Sequence, residues 1–120
     1  MKVRFDASGD VIVITGGANG IGRALALAAA QAGARVVACD VDEAAMASLR
    51  IEAPAVATRR LDVSDRAAVL SCFAEITQSI GDIDGLVCAA AIQPRTNIHE
   101  MDPREWERVI AINLNGVMWC

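Results

Sequence analysis

Apolar residues come in two arrangements along this chain: short unbroken runs, and longer stretches in which they recur at helical spacing. The run VIVIT, Val11 to Thr15, predicts a buried strand, and the stretch from Gly20 to about Ala32 predicts a helix with Ile21, Leu25 and Ala28 or Ala29 on one face. Gly33 marks its stop. RVVACD, Arg35 to Asp40, reads as a second strand, followed by a short helix from Val41 to about Glu52 with Asp42 and Glu43 near its positive end. Beyond Pro54 a third strand is expected, roughly Ala55 to Leu61. Ser64 then offers an N-cap for a helix from Asp65 to about Ile80, whose Val69, Phe73 and Ile76 or Ile80 are spaced to face inward. Gly81 closes that helix. DGLVCAAA, Asp84 to Ala91, gives a fourth strand without polar alternation, and Pro103 opens a last helix containing Trp106, Val109, Ile110 and Ile112, with Trp106 read as a core or packing residue on its helical face.

Strand and helix alternate throughout, which implies parallel strands joined by right-handed crossovers with helices on both faces. The expected fold is α/β, a doubly wound parallel sheet of Rossmann type, with residues 1–120 forming a single dinucleotide-binding segment. No linker, second domain or solenoid repeat interrupts the pattern. In such a sheet the fourth strand would lie at an edge, yet DGLVCAAA is apolar on both faces and has no edge protection by charge or proline. The chain also ends in GVMWC, inside what reads as helix. The sheet is therefore expected to be truncated after the fourth strand and part of the following helix, as the amino-terminal half of a longer design.

Between the first strand and the first helix lies TGGANGIG, residues 15–22. Glycine in a regular element costs backbone entropy, so a cluster of it suggests that something approaches the main chain closely. In a doubly wound sheet this turn lies at the carboxyl end of a strand, where ligands bind. Bare backbone there lets a pyrophosphate reach N–H groups at the positive end of the helix. Asp40 ends the second strand close to the offset of about 20 residues at which a carboxylate meets adenosine ribose hydroxyls. That carboxylate would repel an extra phosphate on the ribose, and neither Asn19 nor Val41 supplies a compensating positive charge, so NAD is expected over NADP. The bland alternative for Asp40 is a turn residue that caps the next helix. Arg23, on the first helical turn, is expected to point to solvent.

Composition narrows the field without adding a site. Hydrophobic residues make up 54% of the chain, which argues against disorder, and a net charge of −4 gives no reason to seek nucleic acid or an anionic membrane. Apolar stretches such as Ala24 to Ala30 fall short of the roughly 20 residues needed to cross a bilayer. The first ten residues, MKVRFDASGD, lack the apolar run of a signal peptide. Cys39, Cys72, Cys88 and Cys120 form no CxxC pair and have only His99 for company, so they read as buried free thiols in a reduced, cytoplasmic setting. His99 reads as a solvated loop residue, and Arg59 and Arg60 as strand neighbours on opposite faces.

With these motifs in order, the chain resembles the short-chain dehydrogenase/reductase family. Thr15, Gly16, Gly20 and Gly22 match its TGxxxGxG loop, and Asn19 stands where the extended branch of epimerases and dehydratases would place glycine, so the likeness is to the compact oxidoreductase branch. Asp40, Asp62-Val63, DGLVCAAAI, Trp106 and INLNG extend it through most of the chain. The resemblance implies hydride transfer between NAD and a small alcohol or carbonyl substrate, and association into a homo-oligomer. It places the cofactor against Thr15, Gly16, Asn19, Gly20, Ile21, Gly22, Asp40, Asp62, Val63 and the backbone of Ala89, Ala90 and Ala91. Asp62 would meet the adenine amino group, its alternative being an N-cap or turn role. Where the family reads NNAG, Cys88, Ala89, Ala90 and Ala91 stand here, so two amide side chains are absent. Asn113 alone matches a catalytic position, as the helix asparagine that supports a water-linked proton path; its alternative is a hydrogen bond to nearby backbone. The family's tyrosine acid or base in YxxxK cannot lie within these residues, because the tyrosine count is zero. A non-catalytic NAD-binding module therefore stands beside the enzyme as the other reading.

Overall fold

In the computed structural model, which describes residues 6–120, VIVIT forms β1, Val11–Thr15. It is followed by α1 (Gly20–Gln31), β2 (Arg35–Asp40), α2 (Glu43–Glu52), β3 (Ala57–Arg60), α3 (Arg66–Ser79) and β4 (Gly85–Cys88). The chain then runs through α4 (Pro103–Ile110), a π-helical turn over Ala111–Asn115, and α5 (Gly116–Trp119). Residues 1–5, which carry half of the MKVRFDASGD reading, lie outside the described residues.

The four strands among the described residues are all parallel, in the order β3-β2-β1-β4. Val13 registers with Val37 on one side and Leu86 on the other, so alternate residues of three strands share a face. Val11, Val13, Val37 and Cys39 pack with Val69, Cys72 and Ile76 of α3, and Ile112 and Trp119 close over them. Ile14, Val36 and Ala38 face the other way, onto Ala26 of α1 and Leu49 of α2. Burial on both faces is why β1 and β2 carry unbroken apolar runs. With helices on both sides and β4 at an edge, the sheet has the doubly wound architecture that the alternation implies.

Several local expectations give way to packing. The inward face of α1 is Gly22 and Ala26, while Ile21 is 79% exposed and Leu25 41%. Small residues let the helix lie close to the sheet, and the larger ones turn away from it. The helix α2 starts at Glu43 rather than Val41, because the Asp42 side chain caps it by accepting from the Ala45 N–H at 2.9 Å. The helix α3 is capped by Asp65, which accepts from the Ala68 N–H at 3.0 Å, and Ser64 is not the cap. On its inward face Cys72 joins Val69 and Ile76, with Phe73 only partly buried. The strand β4 ends at Cys88, three residues short of Ala91, because β1, its only partner among the described residues, turns away after Thr15. The last ladder bond runs from the Ala89 N–H to Thr15 O at 3.1 Å. Trp106 is 53% exposed and outside the core.

Candidate functional site

The four carboxyl ends converge on one cleft. At the end of β1 the Thr15 side chain is buried, and the chain turns at Gly16 with φ +64°. A Cβ on Gly16 would stand 2.7 Å from the carbonyl of Ala89 and the nitrogen of Ala90, so β1 and β4 approach here closely enough to require glycine. Gly17 donates to Cys39 O at 3.2 Å, which lays the loop against the end of β2.

Next comes Ala18, fully buried, whose N–H donates to Asp40 Oδ2 at 3.0 Å. Asn19 occupies the N-cap position of α1 in extended geometry but makes no side-chain cap, its Nδ2 donating to Asp42 Oδ2 at 3.1 Å instead. No acidic residue lies in the first turn of α1. The positive end of this helix is thus left without an internal carboxylate or cap. Gly20, at φ +51°, has nothing within 4 Å of where a Cβ would sit, so bare backbone faces open space.

Asp40 closes the opposite side. Its Oδ1 accepts from the N–H groups of Val41 at 2.8 Å and Asp42 at 3.1 Å, while its Oδ2 holds Ala18. The turn role considered for Asp40 is therefore present, although the cap of α2 is Asp42. A carboxylate offers about four lone-pair positions, so three internal bonds leave room for one more donor. After β3, Asp62 Oδ1 accepts both the N–H of Ser64 at 2.9 Å and its hydroxyl at 2.6 Å, leaving Oδ2 without a hydrogen bond among the described residues. The Ser64 hydroxyl and N–H hold the Asp62 carboxyl below the usual carboxylate range, and Arg108 and Arg60 add to the effect. The adjacent turn role is real, but the capping role belongs to Asp65.

Beyond β4 the backbone of Ala89, Ala90 and Ala91 forms the third side. Asn113, in the π-helical turn, accepts from the Ile92 N–H through Oδ1 and donates to Ile92 O through Nδ2, both at 2.9 Å. Its amide thus serves as a two-bond strand partner for the loop, the backbone alternative considered for it.

The cleft is open to solvent on one side and has a volume of about 420 Å³. Gly16, Asn19, Gly20, Ile21, Gly22, Asp40, Asp62, Val63, Ala89, Ala90 and Ala91 all line it. Thr15 and Asn113 do not: Thr15 lies beneath the floor, its hydroxyl accepting from the Ala90 N–H at 3.4 Å, and Asn113 stands behind Ile92. Val41, Leu61, Ile92, Arg108 and Ile112 also line the cleft. The sequence pattern did not single them out as site residues, although Arg108 and Ile112, one turn apart, share a helical face just before the asparagine. The expectation for Arg23 is corrected outright: its guanidinium reaches Ala18 O, Ala45 O, Ser48 and Glu52 instead of solvent.

The remaining candidates stay apart from the cleft. Arg59 pairs with Glu75 at 3.0 Å and Arg60 lies 3.8 Å from Glu43, on opposite faces as alternation requires. His99 is exposed, and no group of three metal-ligating side chains occurs among the described residues. Cys39 and Cys72 are buried, but Cys88 is exposed because it lies on the edge strand. Burial, with the Cys88 and Cys72 thiols beside it, pushes Cys120 up to about 11. Among the described residues no helix is long and apolar enough to cross a membrane.

A parallel 3-2-1-4 sheet with a glycine-lined cleft at its carboxyl edge defines a Rossmann-type protein. The family described as short chain dehydrogenase matches residues 10–120, and the chain belongs to the short-chain dehydrogenase/reductase family of oxidoreductases. It is 39% identical over 115 residues to a short chain dehydrogenase/reductase of Macrophomina phaseolina, covering 91% of this chain and 66% of that one. To the sorbitol dehydrogenase of Cereibacter sphaeroides it is 40% identical, covering 92% and 44%. To the NAD(+)-named 2-dehydro-3-deoxy-L-rhamnonate dehydrogenase of a Sphingomonas species it is 35% identical, covering 94% and 46%. The chain thus spans between 44% and 66% of the length of these relatives. The crystal structure of a short-chain type dehydrogenase/reductase from Mycobacterium marinum superposes with a TM-score of 0.90 at 32% identity, over 97% of this chain and 49% of that one.

Proposed function

We propose that these residues are the cofactor-binding half of an NAD-dependent oxidoreductase acting on a small alcohol or carbonyl substrate. The observation that carries the reading is the uncapped, acid-free start of α1, where the open backbone at Gly20 faces a cleft closed on its far side by Asp40. A dinucleotide fits this donor set. The N–H groups of Gly20 to Gly22 suit a pyrophosphate. Asp40 has capacity for a ribose hydroxyl, and the unused Oδ2 of Asp62 for an amino group on the base. Val63 and Ile112 supply apolar walls. When bound, the nicotinamide would supply the hydride acceptor or donor.

Within this reading Asn113 acts from behind, holding the loop at Ile92 so that the backbone of Ala89 to Ala91 keeps its place in the cleft. The negative charge of Asp40 argues for NAD over NADP. Homo-oligomerisation and a cytoplasmic setting belong to the same proposal, with a native mass measurement as the check on the first. The absence of tyrosine from these residues favours a second reading for the 120-residue segment on its own, namely binding without turnover.

Titration calorimetry with NAD and NADP, on the parent and on Asp40→Asn, tests the proposal. Binding of NAD in preference to NADP, with the preference lost in the variant, is the expected result. A folded sample that gives no heat with either cofactor overturns it.

A further inference from the structure

We infer that Arg23 is a positioning residue for the cleft, setting the shape of the glycine loop from the side away from the ligand. This rests on the cofactor reading above and goes beyond it, because Arg23 does not line the cleft.

An arginine has five N–H donors in a rigid fork, and here every one is used. Nη1 donates to the carbonyls of Ala18 at 3.1 Å and Ala45 at 3.3 Å. Nη2 donates to Ser48 Oγ at 3.1 Å and Glu52 Oε2 at 2.6 Å, and Nε donates to the same Glu52 oxygen at 3.2 Å. Ala45, Ser48 and Glu52 are three and four residues apart, so they form one face of α2. A solvent-exposed ion pair with Glu52 would contribute little. What distinguishes this one is that the side chain of Arg23 is only 21% exposed and that the same guanidinium also grips the loop.

The gripped residue is Ala18, and it is held at both ends. Asp40 takes its N–H and Arg23 takes its C=O. A trans peptide is planar, with N–H and C=O pointing in opposite directions. Fixing the Ala18 carbonyl on Arg23 therefore fixes the direction of the Asn19 N–H, which makes no hydrogen bond among the described residues and belongs to a residue lining the cleft. The contact between Asn19 Nδ2 and Asp42 ties the following residue to the start of α2 as well. The loop is thus clamped to α2 before any ligand arrives. Pre-set donors spare a ligand the cost of ordering them, and pyrophosphate recognition gains from this where base and ribose recognition do not.

The test compares ADP-ribose, which carries a pyrophosphate, with adenosine, which does not, on the parent, Arg23→Met and Arg23→Lys. Affinities are read by calorimetry, or by competition with NAD. The expected result is a loss on the order of tenfold for ADP-ribose in Arg23→Met, with adenosine changed less than twofold. Arg23→Lys, with three donors and no fork, should recover only part of the loss. The amide exchange rate of Ala18, measured by NMR, should rise in step with the loss of ADP-ribose affinity. A lowered melting temperature with the ratio of the two affinities unchanged means a merely structural role and overturns the inference. So does full recovery by lysine. If the parent itself fails to bind NAD, the cofactor reading falls first and this inference with it, whereas a parent that binds NAD with an unaltered ratio in Arg23→Met sinks this inference alone.

Discussion

Replacing Gly16 by alanine separates two demands that the glycine loop makes on its backbone. At φ +64° a side-chain-bearing residue incurs the left-handed penalty of roughly 1–2 kcal/mol. The new Cβ would also stand 2.7 Å from the carbonyl carbon and oxygen of Ala89 and from the nitrogen of Ala90. These are backbone atoms at the junction of β1 and β4, so relief requires the strands to part, an overpacking cost of about 1–3 kcal/mol. The sum, roughly 2–5 kcal/mol, is a large fraction of the stability of an ordinary domain. Gly20 is the internal control, because its φ of +51° carries the same conformational penalty while nothing lies within 4 Å of its Cβ position. Urea unfolding followed by circular dichroism should therefore show Gly20→Ala losing only about 1–2 kcal/mol, with Gly16→Ala losing clearly more. Ala89→Gly should not rescue Gly16→Ala, since the obstructing atoms are main chain. Equal losses at the two positions would refute the close approach of β1 to β4, and rescue by Ala89→Gly would refute the geometry assigned to it.

Two further outcomes follow from side chains around the cleft. Ser64→Ala should raise the Asp62 carboxyl part of the way toward its ordinary range, as read by NMR titration, since the Ser64 hydroxyl is the largest cause of its depression while the N–H bond remains in the variant. A carboxyl depressed in the folded state contributes stability above its unfolded pKa and loses it as pH falls through the folded value, so the difference between parent and variant should vanish in acid; a difference that grows in acid contradicts the assignment. Asn113→Leu removes both bonds to Ile92, and the Ile92 amide should exchange at least several-fold faster, at a cost of about 1–3 kcal/mol for the pair; unchanged exchange would mean that the loop is held by something else.

Much of the architecture could be read before folding because it depends on local chemistry. Runs buried on two faces must be apolar along their whole length, and left-handed corners at Gly16 and Gly20 must lack a side chain, so both leave a mark on residue type. Asp40 could be placed because the length of a strand–helix–strand unit is itself fixed by its geometry. Errors arose where one element chose between equivalent partners. Ser64 and Asp65 are both competent caps, and the competition was settled by Asp62, which drew the Ser64 hydroxyl to itself. Trp106 has the spacing of a core residue on α4 but ends 53% exposed, which periodicity cannot foretell because it names a face without naming what covers it.

By itself, then, the sequence determined the order of elements, the parallel sheet and the bare loop at the start of α1. Only the tertiary structure decided that Ile21 turns outward while Gly22 and Ala26 turn in, that Arg108 and Ile112 reach the cleft, and that Arg23 and Asn113 work from behind it. The reason is physical: Arg23 and Asn113 bind main-chain atoms of Ala18, Ala45 and Ile92, and a peptide group is the same at nearly every residue. Such a contact leaves no trace in its partner's identity and exists only once distant segments have been brought together.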